Sequence, residues 1–260
     1  MLSIVLLTSI IFPEMSIEWT IIFYLLMFVL AFLYASVGHG GASGYLALMA
    51  IFSMAPAVMK PTALILNLFV SLTAFIQFYR TGHFKWTIFF PLALASVPFA
   101  FIGGMITIDP AIYKKILGFL LLIPVVRFLF FPNKEVVASE ESRLLPSLVI
   151  GAVIGFLSGL IGIGGGIILS PILLMLRWTD QKQTAAISAM FIFVNSLSGL
   201  GGQMQKGIEL TPNMVSYVVV AFIGGLLGAY FGAKWFNQKV LKVVLAFVLL
   251  IAAYKLIWTG

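Results

Sequence analysis

From Trp19 to Met59 the chain contains no Asp, Glu, Lys or Arg, and further long apolar stretches follow it. A soluble domain of 260 residues has no core large enough to hide so many continuous apolar segments. The runs are also too continuous for barrel strands, which alternate apolar and polar at every second residue. That leaves an all-α integral membrane protein. Composition agrees: 62% of residues are hydrophobic and 9% charged, against roughly 25% charged in soluble domains. The net charge of +7 is spread over short loops, as orientation signals are, and does not call for nucleic acid. Cysteine is absent, so there is no disulfide and no thiolate chemistry.

Apolar segments run over about 19–37, 42–54, 61–79, 86–107 and 112–131, and then over 145–161, 166–176, 183–202, 212–233 and 238–258. The polar stretch "PNKEVVASEESR", Pro132 to Arg143, divides them. The opening "MLSIVLLTSIIFPE" lacks a basic leader and reads as an interfacial or disordered lead-in. The chain is thus expected to be one transmembrane domain over 1–260. Its first repeat covers about 19–131, a cytoplasmic linker 132–144, and a second repeat about 145–258.

The two sides of the linker resemble each other. "FLYASVGHGGASGYLALM" (Phe32 to Met49) aligns with "FLSGLIGIGGGIILSPIL" (Phe156 to Leu173), and "NLFVSL" (Asn67 to Leu72) with "NSLSGL" (Asn195 to Leu200). "AFIGG" occurs at Ala100 to Gly104 and again at Ala221 to Gly225, and "YKKILGFLLL" (Tyr113 to Leu122) matches "LKVVLAFVLL" (Leu241 to Leu250). The offsets are 124, 128, 121 and 128, so order and spacing are kept together. Duplicated halves are a common transporter construction.

Basic residues indicate how the halves are oriented. With five limbs per half the second repeat is inverted, and both termini lie outside. The cytoplasmic side then receives Arg80, Lys85, Arg127, Lys134, Arg143, Arg177, Lys182, Lys234, Lys239 and Lys242. The outside receives Lys60, Lys114, Lys115, Lys206 and Lys255, a split of ten to five. If each glycine cluster merely kinks one helix, each half has four limbs and the split is eight to seven. The positive-inside rule favours two inverted repeats of about five helical limbs each.

Two glycine clusters break the apolar runs: Gly38, Gly40 and Gly41 around His39, and Gly162, Gly164, Gly165 and Gly166. The limbs after them are short and are expected to be broken or re-entrant helices that do not fully cross the membrane. Irregular backbone at membrane depth is tolerated only when buried in protein or lining a wet cavity. A glycine turn there frees amide N–H groups at a helix start, where the dipole favours an anion. "AFIGG" and "GGLLGAYFG" (Gly224 to Gly232) are instead expected to serve close helix packing.

All eight carboxylates lie in loops. Cation pathways and proton relays usually place Asp or Glu inside the bundle, so an acid-free interior suits an anion. With His39 and His83 the only histidines and no cysteine, a metal site is not expected, nor is a cofactor or enzymatic chemistry. His39 is read as a proton-responsive donor at the site or, equally well described, as a neutral ring bonded to a turn carbonyl. Asn67 and Asn195 hold matching helix positions and either flank the site or join neighbouring helices.

At these residues the chain resembles a known family. "GLIGIGGGIILSPIL" (Gly159 to Leu173) looks like the glycine signature of the sulfite exporter TauE/SafE family, also called the toluenesulfonate uptake permeases. The first half departs from it: Ala42 stands for the last glycine, Ala47 for the expected proline, and His39 is added. The resemblance implies a multi-pass protein of the bacterial inner membrane that transports sulfite, a sulfonate or another sulfur anion. The expected partners are that small anion and the lipid bilayer, with a homodimer left open. A passive anion channel and a non-transport assembly or receptor protein are the competing readings.

Overall fold

The structure, a computed structural model, describes residues 17–36, 41–130, 138, 142–208, 212–228, 230 and 238–258. The lead-in, the residues Gly38, His39 and Gly40, and most of the central linker lie outside the described residues. Ten helices occur among those described: α1 Ile17–Ser36, α2 Ala42–Ile51, α3 Pro56–Arg80, α4 Trp86–Met105, α5 Pro110–Phe130, α6 Leu144–Ile161, α7 Gly166–Met175, α8 Gln181–Met204, α9 Pro212–Leu227 and α10 Gln238–Trp258.

Each apolar segment therefore becomes a helix. Among the helix starts the largest difference is at the third segment, expected from about residue 61: α3 begins at Pro56, after the extended Ala55, and Pro61 lies inside it. Pro56 supplies a preset φ where no amide partner is needed, so Lys60 is drawn into the helix.

Six helices (α1, α3, α4, α6, α8 and, over Val240–Trp258, α10) are long and apolar enough to cross a membrane. Large apolar side chains such as Leu25, Phe90, Phe119 and Phe247 stand exposed on the outer faces, where a lipid-embedded chain presents them. By contrast, α2 and α7 have 10 residues each. At 1.5 Å per residue they span about 15 Å, half of a hydrocarbon core of roughly 30 Å.

Small residues set the packing. Gly151, Gly155 and Gly159 form a stripe on α6 against the backbone of Leu92, Ser96 and Ala100 in α4. The glycines of the first "AFIGG" act as expected, Gly103 abutting the Phe156 carbonyl and Gly104 that of Gly199, whereas Gly225 of the second has nothing within 4 Å of an added Cβ. Gly224 and Gly228 meet the carbonyls of Phe28 and Phe32 in α1.

The helix pairs recur when the halves are exchanged. The α4–α6 pair is matched by α9–α1, α4–α8 by α9–α3, α10–α2 by α5–α7, and α7–α8 by α2–α3. The α3–α8 and α5–α10 pairs each join a helix to its own counterpart.

Candidate functional site

The two short helices open alike. The residue before α2 is Gly41 (φ 70°, ψ −13°), and the residue before α7 is Gly165 (φ 79°, ψ −19°). This left-handed backbone is one that glycine adopts at little cost. Neither helix receives a side-chain cap, so no side chain satisfies the first-turn amides; in α7 the Ile168 amide turns back to the Gly165 carbonyl at 3.1 Å. The second turn is wound further, with Gly162 (φ 87°) ending α6 and Gly164 (φ 75°) following it.

They also close alike. The amides of Phe52, Ser53 and Met54 donate to the carbonyls of Leu48, Ala50 and Met49. The amides of Leu176, Arg177 and Trp178 donate to those of Ile172, Leu174 and Leu173. Every partner pair is related by the offset of 124, and Ser53 (φ 57°) and Arg177 (φ 55°) are the non-glycine residues with positive φ among those described.

Both N-termini open onto one cavity of about 200 Å³. Gly41, Ala42 and Ser43 line it from the first turn, and Gly166, Ile167 and Ser170 from the second. α3 contributes Ser71, Ala74 and Phe78, α5 contributes Arg127, and α8 contributes Lys182, Thr184, Ser188 and Ile192. Several of the hydroxyls are already engaged. Tyr34 and Ser43 share a hydrogen bond of 2.8 Å. Ser170 donates to the Gly166 carbonyl at 2.7 Å and lies 2.8 Å from Ser188 Oγ.

Two groups at the cavity are not engaged. Ser71 is fully buried, and its Oγ has no hydrogen-bond partner. Arg127 Nη1 is likewise buried without one. Lys242 of α10 adds a like charge that Arg127 repels. No Asp or Glu is among the described residues that line it. Two helix starts, a cation and a set of hydroxyls thus face one space, and an unpaired buried cation there is costly until an anion or acceptor meets it.

The structure sorts the residues singled out from sequence. Gly41 and Gly166 line the cavity. Gly165 is not among the lining residues; a Cβ on it would point at Ile154 and Phe191, 2.8 and 2.9 Å away. A Cβ on Gly162 would meet the Lys60 carbonyl at 3.0 Å. Gly164 sits against Asn67, whose Nδ2 would lie 2.7 Å from an added Cβ. Asn67 is fully buried and donates through Nδ2 to Ser196 Oγ at 3.3 Å, so it braces the second turn from behind. Asn195 donates to the Phe191 carbonyl of its own helix at 2.8 Å. The two asparagines keep an unpartnered Oδ1 each but do not line the cavity. Gly38, His39 and Gly40 lie outside the described residues.

Sequence reasoning passed over Arg127, Ser71, Ser188 and Lys182. The signals were there. Arg127 interrupts the apolar run "LLLIPVVRFLFF". Ser71 follows Asn67 by one helical turn, and Thr184 and Ser188 recur at the same spacing on α8.

Comparison with known proteins places this architecture. The family model described as "Sulfite exporter TauE/SafE" matches residues 23–256. A "Probable membrane transporter protein" of Sinorhizobium fredii is 35% identical over 89% of this chain and 95% of its own length. Another protein of that name, from Methanocaldococcus jannaschii, is 29% identical over 69% of this chain and 72% of its own. "Sulfite exporter TauE/SafE family protein 1" of Arabidopsis thaliana is 32% identical over 34% of this chain and 19% of its own. No solved structure gives a significant match.

Proposed function

Since this chain belongs to the sulfite exporter TauE/SafE family, we propose that it is a secondary transporter for a small sulfur-containing anion, sulfite or a sulfonate. It works by alternating access in the bacterial inner membrane. One observation carries the reading. The starts of two matching short helices share a cavity with an unpartnered arginine nitrogen and an unpartnered, fully buried serine hydroxyl. Early-turn amides and the helix dipole favour negative charge, Arg127 supplies a full positive charge in a fork suited to oxyanions, and Ser71 completes the donor set. Discontinuous helices aimed at an anionic group are an established transporter arrangement.

The two halves are taken as inverted repeats with both termini outside. The recurring helix pairs and the matching ends of α2 and α7 support this, as does the ten-to-five distribution of basic residues. In that orientation the cavity opens toward the cytoplasm, because Arg127 and Lys182 fall on that side.

The test uses purified protein in liposomes preloaded with a labelled sulfonate. A carrier gives saturable uptake and accelerated counterflow against unlabelled substrate. Flux that rises linearly with concentration and shows no counterflow would make the protein a channel. No flux for sulfite or any sulfonate would return it to an assembly or receptor role.

A further inference from the structure

The repeat relation pairs two cations. At the offset of 128 that aligns "YKKILGFLLL" with "LKVVLAFVLL", Arg127 of α5 corresponds to Lys255 of α10. Their situations differ. Lys255 Nζ donates to the Ile51 carbonyl at 2.5 Å and to Ser53 Oγ at 2.8 Å. It therefore caps the C-terminus of α2, where the helix dipole favours a cation. Arg127 has no such bond at the matching end of α7, and its Nη1 is buried and unpartnered at the open cavity. The backbone is not the cause, since the two helix ends are closed by the same three hydrogen bonds. The packing follows the same asymmetry, for α10 lies along α2 more extensively than α5 lies along α7.

We propose that Arg127 and Lys255 are an alternating pair: one cation caps a short helix and holds its face of the protein shut, while the other is released to the cavity that is open. Here Lys255 caps α2 and Arg127 faces the cavity. In the opposite state Arg127 takes the C-terminal carbonyls of α7, Lys255 is freed, and a second cavity opens on the other face. Ser158, fully buried with an unpartnered Oγ, is the repeat counterpart of the cavity-lining Tyr34 and belongs to that second cavity. Leu64, also fully buried, is the counterpart of the cavity-lining Ile192 and belongs there too. Arg177 stands where Ser53 stands in the first half. The Arg127 cap therefore lacks a hydroxyl acceptor and meets a like charge, which favours the state observed.

The inference rests on the carrier reading, but its test needs no substrate. The native chain has no cysteine, so single reporters can be placed at Ala185→Cys, on the open cavity, and at Leu64→Cys. Each is reacted in detergent with a charged methanethiosulfonate reagent. In the native background Ala185→Cys reacts and Leu64→Cys is protected. Lys255→Met removes the charge-assisted cap, so Leu64→Cys should gain about tenfold in rate while Ala185→Cys slows. Ser53→Ala, which removes one of two acceptors, moves both rates the same way by less. Arg127→Met shifts the ratio in the opposite direction. Rates unchanged by both Lys255→Met and Ser53→Ala would overturn the proposal. So would rates that rise together, since that marks a loosened bundle. Lost anion flux with these shifts intact would sink the carrier reading alone and leave the exchange standing.

Discussion

Replacing Arg127 by methionine separates binding from folding because the two should move in opposite directions. The guanidinium Nη1 is buried without a hydrogen-bond partner, and Lys242 repels it. Its removal therefore breaks no internal hydrogen bond and relieves a buried charge, a change that is commonly neutral or stabilising. The aliphatic stem keeps its packing in methionine. A hydrogen bond to a charged group contributes about 1.5–3 kcal/mol, which corresponds to a loss of roughly 10- to 150-fold in anion affinity. The assay is thermal unfolding of the purified protein with and without a sulfonate such as taurine or toluenesulfonate. The ligand-free midpoint should hold or rise, and the ligand-induced shift should collapse. A variant that unfolds earlier yet keeps the full ligand shift would refute the reasoning, since Arg127 would then be a structural residue.

Three other changes test neighbouring parts of the account. Ser71→Ala removes a buried hydroxyl with no partner, so ligand-free stability should hold while sulfonate affinity falls by about 0.5–1.5 kcal/mol, read in the same thermal assay. Gly159→Val drives a side chain into the Ala100 carbonyl and the Gly104 amide; it should cost about 3 kcal/mol or more and abolish a monodisperse elution profile, whereas Gly225→Ala, with nothing within 4 Å of the added carbon, should elute as the native protein does. For sidedness, cysteines at Asp109 and Gln205 should react with an impermeant reagent in intact cells, and cysteines at Thr81 and Arg177 should not, all four positions being exposed in the fold; labelling of Arg177→Cys from outside would remove the inverted orientation.

The sequence displays the helices plainly because lipid imposes one requirement, backbone bonds satisfied within each segment, and apolar length reports it. The glycine clusters were equally legible, since Gly41 and Gly165 sit at φ values that other residues rarely adopt. The direction of a side chain from such a turn was not. Gly165→Leu looks in sequence like a plug for the anion space, but a Cβ there points into Ile154 and Phe191, so the substitution would test core packing. The asparagines misled for a related reason. Repetition marks a position as shared by both halves, whereas Asn67 reaches Ser196 and Asn195 bonds back to Phe191. Arg127 stayed hidden because a basic residue near a helix end is ordinarily an orientation signal with its head in water. Only the fold shows that α5 brings it to the cavity onto which both short helices open.

The placement of charge bears on how such a site can release what it binds. Backbone amides and hydroxyls would bind an anion without a permanent charge at the cavity centre, and among the described lining residues half-buried Arg127 contributes a buried, unpartnered Nη1. No carboxylate among the described lining residues competes for that cation, so on the proposed reading an arriving anion would remove a desolvation cost in addition to making bonds. A fixed arginine would for the same reason hold its anion too well. An arginine that can exchange the anion for the C-terminal carbonyls of α7 is relieved in either condition, and the departing anion is replaced by backbone oxygen. Lys255 already shows that geometry on α2, at 2.5 Å from the Ile51 carbonyl. On the carrier reading a site built this way would cycle without a neutralising acid, and the described carboxylates stand at helix starts, with Glu18 in the first turn of α1, Asp109 just before α5 and Asp180 capping α8.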